Sequence, residues 1–346
     1  MHSIGSRKSG GEPHGKLHMN EPVRGILFGL SRMRWHIRKQ VWVGRAAYQM
    51  PNAWHALVHR RGPQPAGADV PVRGPRGGVA LCLRFRDEAR FLEEWLEYYL
   101  AAGVEHFFLY NNFSIDNYQE VLRPYLDGGR ATLIDWPRKP ASPAAEHDCI
   151  ARTRGRFDWV GFIDADEFVV VRDGRSIPEF LGGFGDAPAV ALHWYYYGSC
   201  GHEQRPQDWV IRAYTRRAAE PNHHFKVFVR PEQVTRNRNS HNSYYRRGRC
   251  AVREDGRHVH GSLARPPSAR QAWINHYYCK SLEDYLEKAA RNSSLDQSGI
   301  NDPSRLPGRA RVAMAAANDV VDNCALEYFE TRRRLAQEPP AGEGLL

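Results

Sequence analysis

From Gly77 onward the chain alternates short apolar runs with amphipathic ones, and this alternation restricts the possible folds more than any other feature. GVALCLRF reads as a strand. EARFLEEWLEYYLAAG reads as a helix with Leu92, Trp95, Leu96, Tyr99 and Leu100 on one face and Gly103 where a terminating glycine belongs. HFFLYNN, ATLIDW and WVGFIDADEFVVV (159–171) read as further strands, with NYQEVLRPYLDGG and SPAAEHDCIARTRGR as the helices between them. Strand, helix and strand at intervals of about 25 residues predict an α/β domain built on a mostly parallel, Rossmann-like sheet flanked by helices. Ligands of such sheets bind beyond the carboxyl ends of the strands.

The run at 159–171 carries three acids inside an otherwise apolar strand: Asp164, Asp166 and Glu167. Trp159 to Ile163 reads as a buried parallel strand, so the acids fall at its carboxyl end, where the binding crevice belongs. In an extended chain Asp164 and Asp166 point the same way. Two adjacent carboxylates repel unless a cation lies between them. Hard divalent ions such as Mn²⁺ or Mg²⁺ take oxygen ligands from one or two carboxylates together with substrate phosphates. An acidic turn after a strand gives the same letters without a metal.

Six blocks in a fixed order add to this reading. They are Arg86-Asp87-Glu88 with FLEEWLEYYLAAGVEHFFLYNNFSIDN, then ATLIDWP, DWVGFIDADEFVVV, HWYYYGSCGH, HHFKVFVRP and INHYYCKSLEDYLEK. Over roughly residues 79–291 the chain resembles glycosyltransferase family 92 and the related bacterial family-2-like group. The resemblance implies a GT-A fold, a nucleoside-diphosphate sugar donor (UDP-linked), inversion at the sugar carbon, and Mn²⁺ or Mg²⁺ held by Asp164 and Asp166; a glycan or lipid-linked glycan acceptor is the expectation drawn from the basic amphipathic stretch at 23–47. In such folds a later histidine often completes the metal shell. His276 is preferred because Lys280 follows four residues on and can reach the same diphosphate; His241 is the reserve. A lone histidine that only caps a buried strand reads the same way.

Arg86, Asp87 and Glu88 end the first strand, which in this fold faces base and ribose. Asp87 and Glu88 can accept hydrogen bonds there, or cap the following helix; Asp116 has the same two readings. The loop at 195–209 is Gly-rich and aromatic, as an acceptor site would be. Within it Glu203 is the candidate general base, with Asp208 behind it. Lys226 and Arg230 either neutralise phosphate or decorate an exposed strand.

Charge divides the chain. It holds 49 Lys+Arg against 39 Asp+Glu, and residues 1–76 alone hold 13 against 3, so the remainder is formally neutral. Residues 1–76 read as a basic tail, an amphipathic helix at 23–47 and a Pro/Gly-rich linker; 77–291 as the catalytic domain; 292–346 as a C-terminal helical segment, with a helix from Arg309 to Gln337, and a tail. The basic helix lies either on an anionic membrane surface or against the domain; nucleic acid is disfavoured because no binding module accompanies it. No apolar run approaches the roughly 20 residues of a membrane span, and the six dispersed cysteines suit reduced thiols. A cytoplasmic protein, membrane-associated on that face if the helix binds lipid, is the expectation. A phosphohydrolase of nucleotide sugars and a non-catalytic sugar- or nucleotide-binding module stay open as alternatives.

Overall fold

The computed structural model describes residues 77–139, 142–293 and 315–337. The basic helix expected at 23–47 lies outside the described residues. The elements run β1 (Val79–Phe85), α1 (Ala89–Ala101), β2 (His106–Asn111), α2 (Tyr118–Asp127), β3 (Ala131–Asp135), α3 (Ala144–Thr153), β4 (Trp159–Phe162), β5 (Glu167–Val171), α4 (Ile177–Gly182), β6 (Ala189–Tyr196), α5 (Val210–Ala213) and β7 (Arg216–Arg217). They continue with β8 (Phe225–Val229), β9 (Val234–Asn239), β10 (Asn242–Tyr245), β11 (Ala251–Arg253), β12 (His258–Val259), β13 (Ala272–His276), α6 (Leu282–Ser293), β14 (Val320–Val321) and α7 (Cys324–Gln337).

The strand order β12-β11-β6-β8-β4-β1-β2-β3 places the most apolar strands in the middle. β1, VALCLRF, is buried at every residue except Arg84, as a parallel strand covered on both faces must be. β1 pairs in parallel with β2 and β4, and β2 with β3. β8 is antiparallel to both β4 and β6, so β6 points the same way as β4, and β12 is antiparallel to β11 at the edge. β13 runs parallel to β6. The carboxyl ends of β4, β6 and β13 therefore share one edge of the sheet. Gly161 in β4 permits the close packing there: a Cβ would stand 2.5 Å from the Phe228 ring and 2.7 Å from Leu81. α1 ends as expected, with Gly103 in the left-handed region at φ 92.

Two expectations need correction. The single strand expected over 159–171 is two. β4 ends at Phe162, the chain turns through 163–166 with Glu167 N–H on the Asp164 carbonyl at 3.1 Å, and β5 then pairs antiparallel with β13. The cause is local: the Glu167 carboxylate accepts the Asp164 N–H at 2.9 Å, which offers the backbone an alternative to the strand ladder. The helix expected over 309–337 is not continuous among the described residues: Ala315 is helical, the chain turns through 316–319 and pairs at 320–321, and α7 starts at Cys324, whose N–H is taken by Asp322 at 2.9 Å. Val320, expected on the helix face, pairs in β14 with Arg217 of β7. α7 itself closes the core: Phe329 stacks on Tyr98 at 5.9 Å. All six cysteines are free thiols, and among the described residues no helix is long and apolar enough to cross a membrane.

Candidate active site

The turn at 163–166 is held from below by α1. Trp95 donates its indole N–H to the Asp164 carbonyl at 3.0 Å, and Tyr99 its hydroxyl to the Glu167 carbonyl at 2.9 Å. Tyr98 donates to the Val169 carbonyl at 2.7 Å. From above, Tyr277 N–H meets the Asp166 carbonyl at 2.8 Å. The backbone groups freed by leaving the main sheet are thus paired, and the two aspartate side chains are presented at the sheet edge. They differ in exposure: Asp164 is 46% exposed and Asp166 10%.

Each aspartate has its own lysine. Lys226 of β8, 2% exposed, donates to Asp164 Oδ2 at 2.6 Å and stands 3.4 Å from Glu167 Oε2. This overturns the exposed-strand reading of Lys226. Lys288 of α6 donates to Asp166 Oδ2 at 2.6 Å, a contact the sequence gave no reason to expect. Burial pushes both aspartates up, but Lys226 on Asp164 and Lys288 with His276 on Asp166 more than offset it, and both carboxyls fall below their usual range. Burial alone would lower both ammoniums, yet their carboxylates hold them above the ordinary lysine value.

Lys280 and His276 come to the same place, as expected. Lys280, in the left-handed region at φ 51, lies 4.0 Å from Asp166 Oδ2 and 4.4 Å over the Phe91 ring. Burial lowers it. His276, packed on Trp194 at 4.6 Å, has Nε2 at 3.6 Å from Asp166 Oδ1. Burial lowers it despite that carboxylate. His241 keeps its Nδ1 at 2.6 Å from the Phe225 carbonyl and its ring 5.5 Å from Trp194, within electrostatic reach of Asp164 and Lys226.

The remaining expected residues divide. Asp87 accepts the Ile115 N–H at 2.8 Å, and Asp116 accepts the Ala89 N–H at 2.8 Å. The two acids thus tie the β1–α1 and β2–α2 loops together, and the cap on α1 comes from Asp116 rather than Asp87. Arg86 lies 3.7 Å from Asp87. Glu88, at the helix start without a side-chain cap, acts electrostatically on Lys280 and Lys288. Glu203 is exposed and lines a cavity of about 470 Å³ with Ser199, Cys200, Arg216 and Leu282. The same loop is fixed to the start of α6 by Leu282 and Glu283 N–H groups on the His202 and Glu203 carbonyls, both at 3.1 Å. Asp208 is exposed and accepts the Trp209 N–H at 2.7 Å. Among the described contacts neither Glu203 nor Asp208 touches Asp164 or Asp166.

Among the described residues no group of three or more His, Cys, Asp or Glu side chains is placed to hold a metal ion by itself. The chemistry of Asp164, Asp166 and His276, two carboxylates and an imidazole with His276 Nε2 at 3.6 Å from Asp166, is that of an open donor set that a hard divalent cation completes with substrate phosphates. Glu167 Oε1 and His276 Nδ1 are both buried without a hydrogen-bond partner and face each other at 4.0 Å. A proton on Nδ1 would point at that oxygen and leave the Nε2 lone pair toward Asp166, the arrangement that orients a metal-binding histidine.

The profile of glycosyltransferase family 92 matches residues 78–258. A family 92 protein of Oryza sativa subsp. japonica is 33% identical over 161 residues, covering 45% of this chain and 27% of that protein. One from Ricinus communis is 28% identical over 272 residues, covering 75% and 47%. A galactan beta-1,4-galactosyltransferase of Arabidopsis thaliana is 25% identical over 209 residues, covering 54% and 39%. The chain thus spans between about a quarter and a half of the length of these relatives. With the family profile matched across more than half of its residues, the chain belongs to glycosyltransferase family 92.

Proposed function

We propose that this chain is a glycosyltransferase that moves a sugar from a nucleoside-diphosphate sugar, UDP-linked, to a hydroxyl of a glycan or lipid-linked glycan, with inversion and with Mn²⁺ or Mg²⁺ as cofactor. One observation carries this reading: the turn at 164–166 presents two aspartate carboxyls at the carboxyl end of β4, beside the His276 imidazole and the Lys226 and Lys288 side chains. A cluster so rich in buried charge is costly for a mere strand end and suits a site that must hold a diphosphate.

Asp164, Asp166 and His276 would hold the cation, which when bound supplies positive charge to the departing nucleotide. Lys280 and Lys288 face the diphosphate oxygens and stabilise the charge that grows as the sugar–oxygen bond breaks. Arg86, Asp87, Glu88 and Asp116, on the two loops beside β1, line the side assigned to base and ribose. Glu203 takes the proton of the acceptor hydroxyl as it attacks the anomeric carbon from the opposite face. Its place in a cavity wall, on a loop fixed to the helix that carries Lys288, supports that role over Asp208, which is engaged with its own backbone. Membership in a family with a galactan galactosyltransferase among its relatives supports a glycan as acceptor.

The test is calorimetric titration of UDP and GDP into the full chain with Mn²⁺, with Mg²⁺ and with EDTA, repeated on Asp164→Asn/Asp166→Asn after circular dichroism shows that it folds. Binding of one nucleotide that requires both the metal and the aspartates is expected. Equal binding in EDTA, or in the double variant, would overturn the metal-held donor site. Turnover releasing the nucleoside monophosphate and the sugar 1-phosphate instead of the nucleoside diphosphate would identify a phosphohydrolase.

A further inference from the structure

The two lysines that neutralise the aspartates are not held alike. Lys226 is walled into the sheet between Asp164, Glu167 and Ser240, at 2.6, 3.4 and 3.3 Å. Lys288 stands on a helix, 26% exposed, with Asp166 at 2.6 Å and the open face of Tyr278 at 4.4 Å from its ammonium. Its stem has four rotatable bonds and its charge can turn between neighbouring anions.

The charge balance adds to this asymmetry. Asp164 and Asp166 each bond an ammonium, Lys226 and Lys288, and Lys280 stands 4.0 Å from Asp166 as Glu167 stands 3.4 Å from Lys226, so a divalent cation entering alone would add two charges to a partly buried cluster whose carboxylates are already compensated, which is unfavourable. A divalent cation entering with the two negative charges of a nucleoside-diphosphate sugar adds none. An ammonium on Asp166 Oδ2 also occupies the carboxylate that the cation needs.

We propose that Lys288 is an exchanging counter-ion: it holds Asp166 while the donor is absent and passes to the donor diphosphate when cation and donor enter together. This rests on the donor-site reading above and adds a binding order to it. Metal alone binds weakly because Lys288 competes for Asp166, nucleotide alone binds weakly because Lys288 is held by Asp166 and is not free for the diphosphate, and each strengthens the other by the same factor. Lys226 stays in place throughout.

The experiment uses Mn²⁺ itself as the probe, with the free ion measured by electron paramagnetic resonance in titrations of the full chain, with and without UDP or GDP. In the wild type, nucleotide should tighten Mn²⁺ binding by about tenfold or more. In Lys288→Met, Mn²⁺ alone should bind about tenfold more tightly than in the wild type, and the enhancement by nucleotide should shrink. Lys288→Arg, which keeps the charge, should leave Mn²⁺ alone weak, and it gives a second reading if the methionine variant does not fold. Mn²⁺ affinity in Lys288→Met equal to or below wild type, with the nucleotide enhancement intact, would make Lys288 a fixed structural partner and overturn the exchange. A Lys288→Arg variant that binds Mn²⁺ alone tightly would do the same. Absence of any Mn²⁺-dependent nucleotide binding in the wild type would instead remove the donor-site reading, and the exchange with it.

Discussion

Trp95 shows how one side chain can serve core and site together. Its ring is fully buried among Tyr99 and Phe107, while its indole N–H fixes the carbonyl of Asp164. Trp95→Phe keeps most of the packing and leaves a part-buried carbonyl without that donor. A loss of about 1–2 kcal/mol in stability is expected from the missing bond, together with weaker nucleotide binding because the Asp164 turn is less fixed. Urea unfolding and calorimetry on the same sample check both, and unchanged nucleotide affinity at reduced stability would show that the turn does not depend on the indole. In the sequence, Trp95 and Tyr99 are legible as a helix face, since periodicity registers their apolar bodies. Their polar tips are silent there, because what they bond to is backbone about 70 residues away. The aspartates were legible for the opposite reason: charge inside an apolar run is conspicuous. Lys288 was not, because a lysine three-quarters buried and one on an open helix face are the same letter.

At the scale of elements, α1 and α5 are joined through a buried acid. Both oxygens of Glu94 accept backbone N–H groups at the start of α5, from Val210 at 2.7 Å and Ile211 at 2.9 Å. Burial pushes Glu94 from 4.5 up to about 7 even against those bonds. Between these two values the folded chain keeps a proton that the unfolded chain has lost. Stability from this group is therefore present at low pH and falls as pH rises through the window, by roughly 3 kcal/mol at most at ~1.4 kcal/mol per pKa unit. Glu94→Gln cannot titrate, so its urea midpoint should fall less steeply than the wild type's between pH 5 and pH 7. Parallel midpoints across that range would mean that Glu94 ionises normally. The same scale explains where strand prediction stopped short. WVGFIDADEFVVV has the composition of one strand throughout, and only the bond from Asp164 N–H to the Glu167 side chain, formed in three dimensions, divides β4 from β5. The parallel order β3-β2-β1-β4 followed from the alternation of elements, whereas antiparallel β8 arrives after a long irregular segment that leaves no period to read.

Across the whole molecule, chain order and spatial order part company at α7. α7 follows the strands that it covers by more than 150 residues, yet Ala325, Tyr328 and Phe329 belong to the main core, Tyr328 donates to the Arg175 carbonyl at 2.9 Å and Arg332 to that of Ala101 at 3.3 Å. Deleting residues 324–346 should lower the thermal midpoint by on the order of 10 °C or more, since losing one buried ring costs roughly 3–5 kcal/mol. Residues 1–76 present the opposite case. They carry the whole surplus of positive charge, while the part of the chain that holds the aspartates and lysines is formally balanced and pairs its buried charges internally. We therefore expect the two functions to separate on deletion. A chain beginning at residue 77 should keep its metal-dependent nucleotide binding and its melting behaviour. It should lose salt-sensitive attachment to vesicles containing anionic phospholipid, an attachment worth about 1 kcal/mol per basic residue near the surface and weakened by screening as ionic strength rises. Vesicle co-sedimentation of both chains at low and high salt decides this. Equal sedimentation of the two chains would place any lipid contact within residues 77–346, and no sedimentation of the full chain would leave the basic segment without a membrane role.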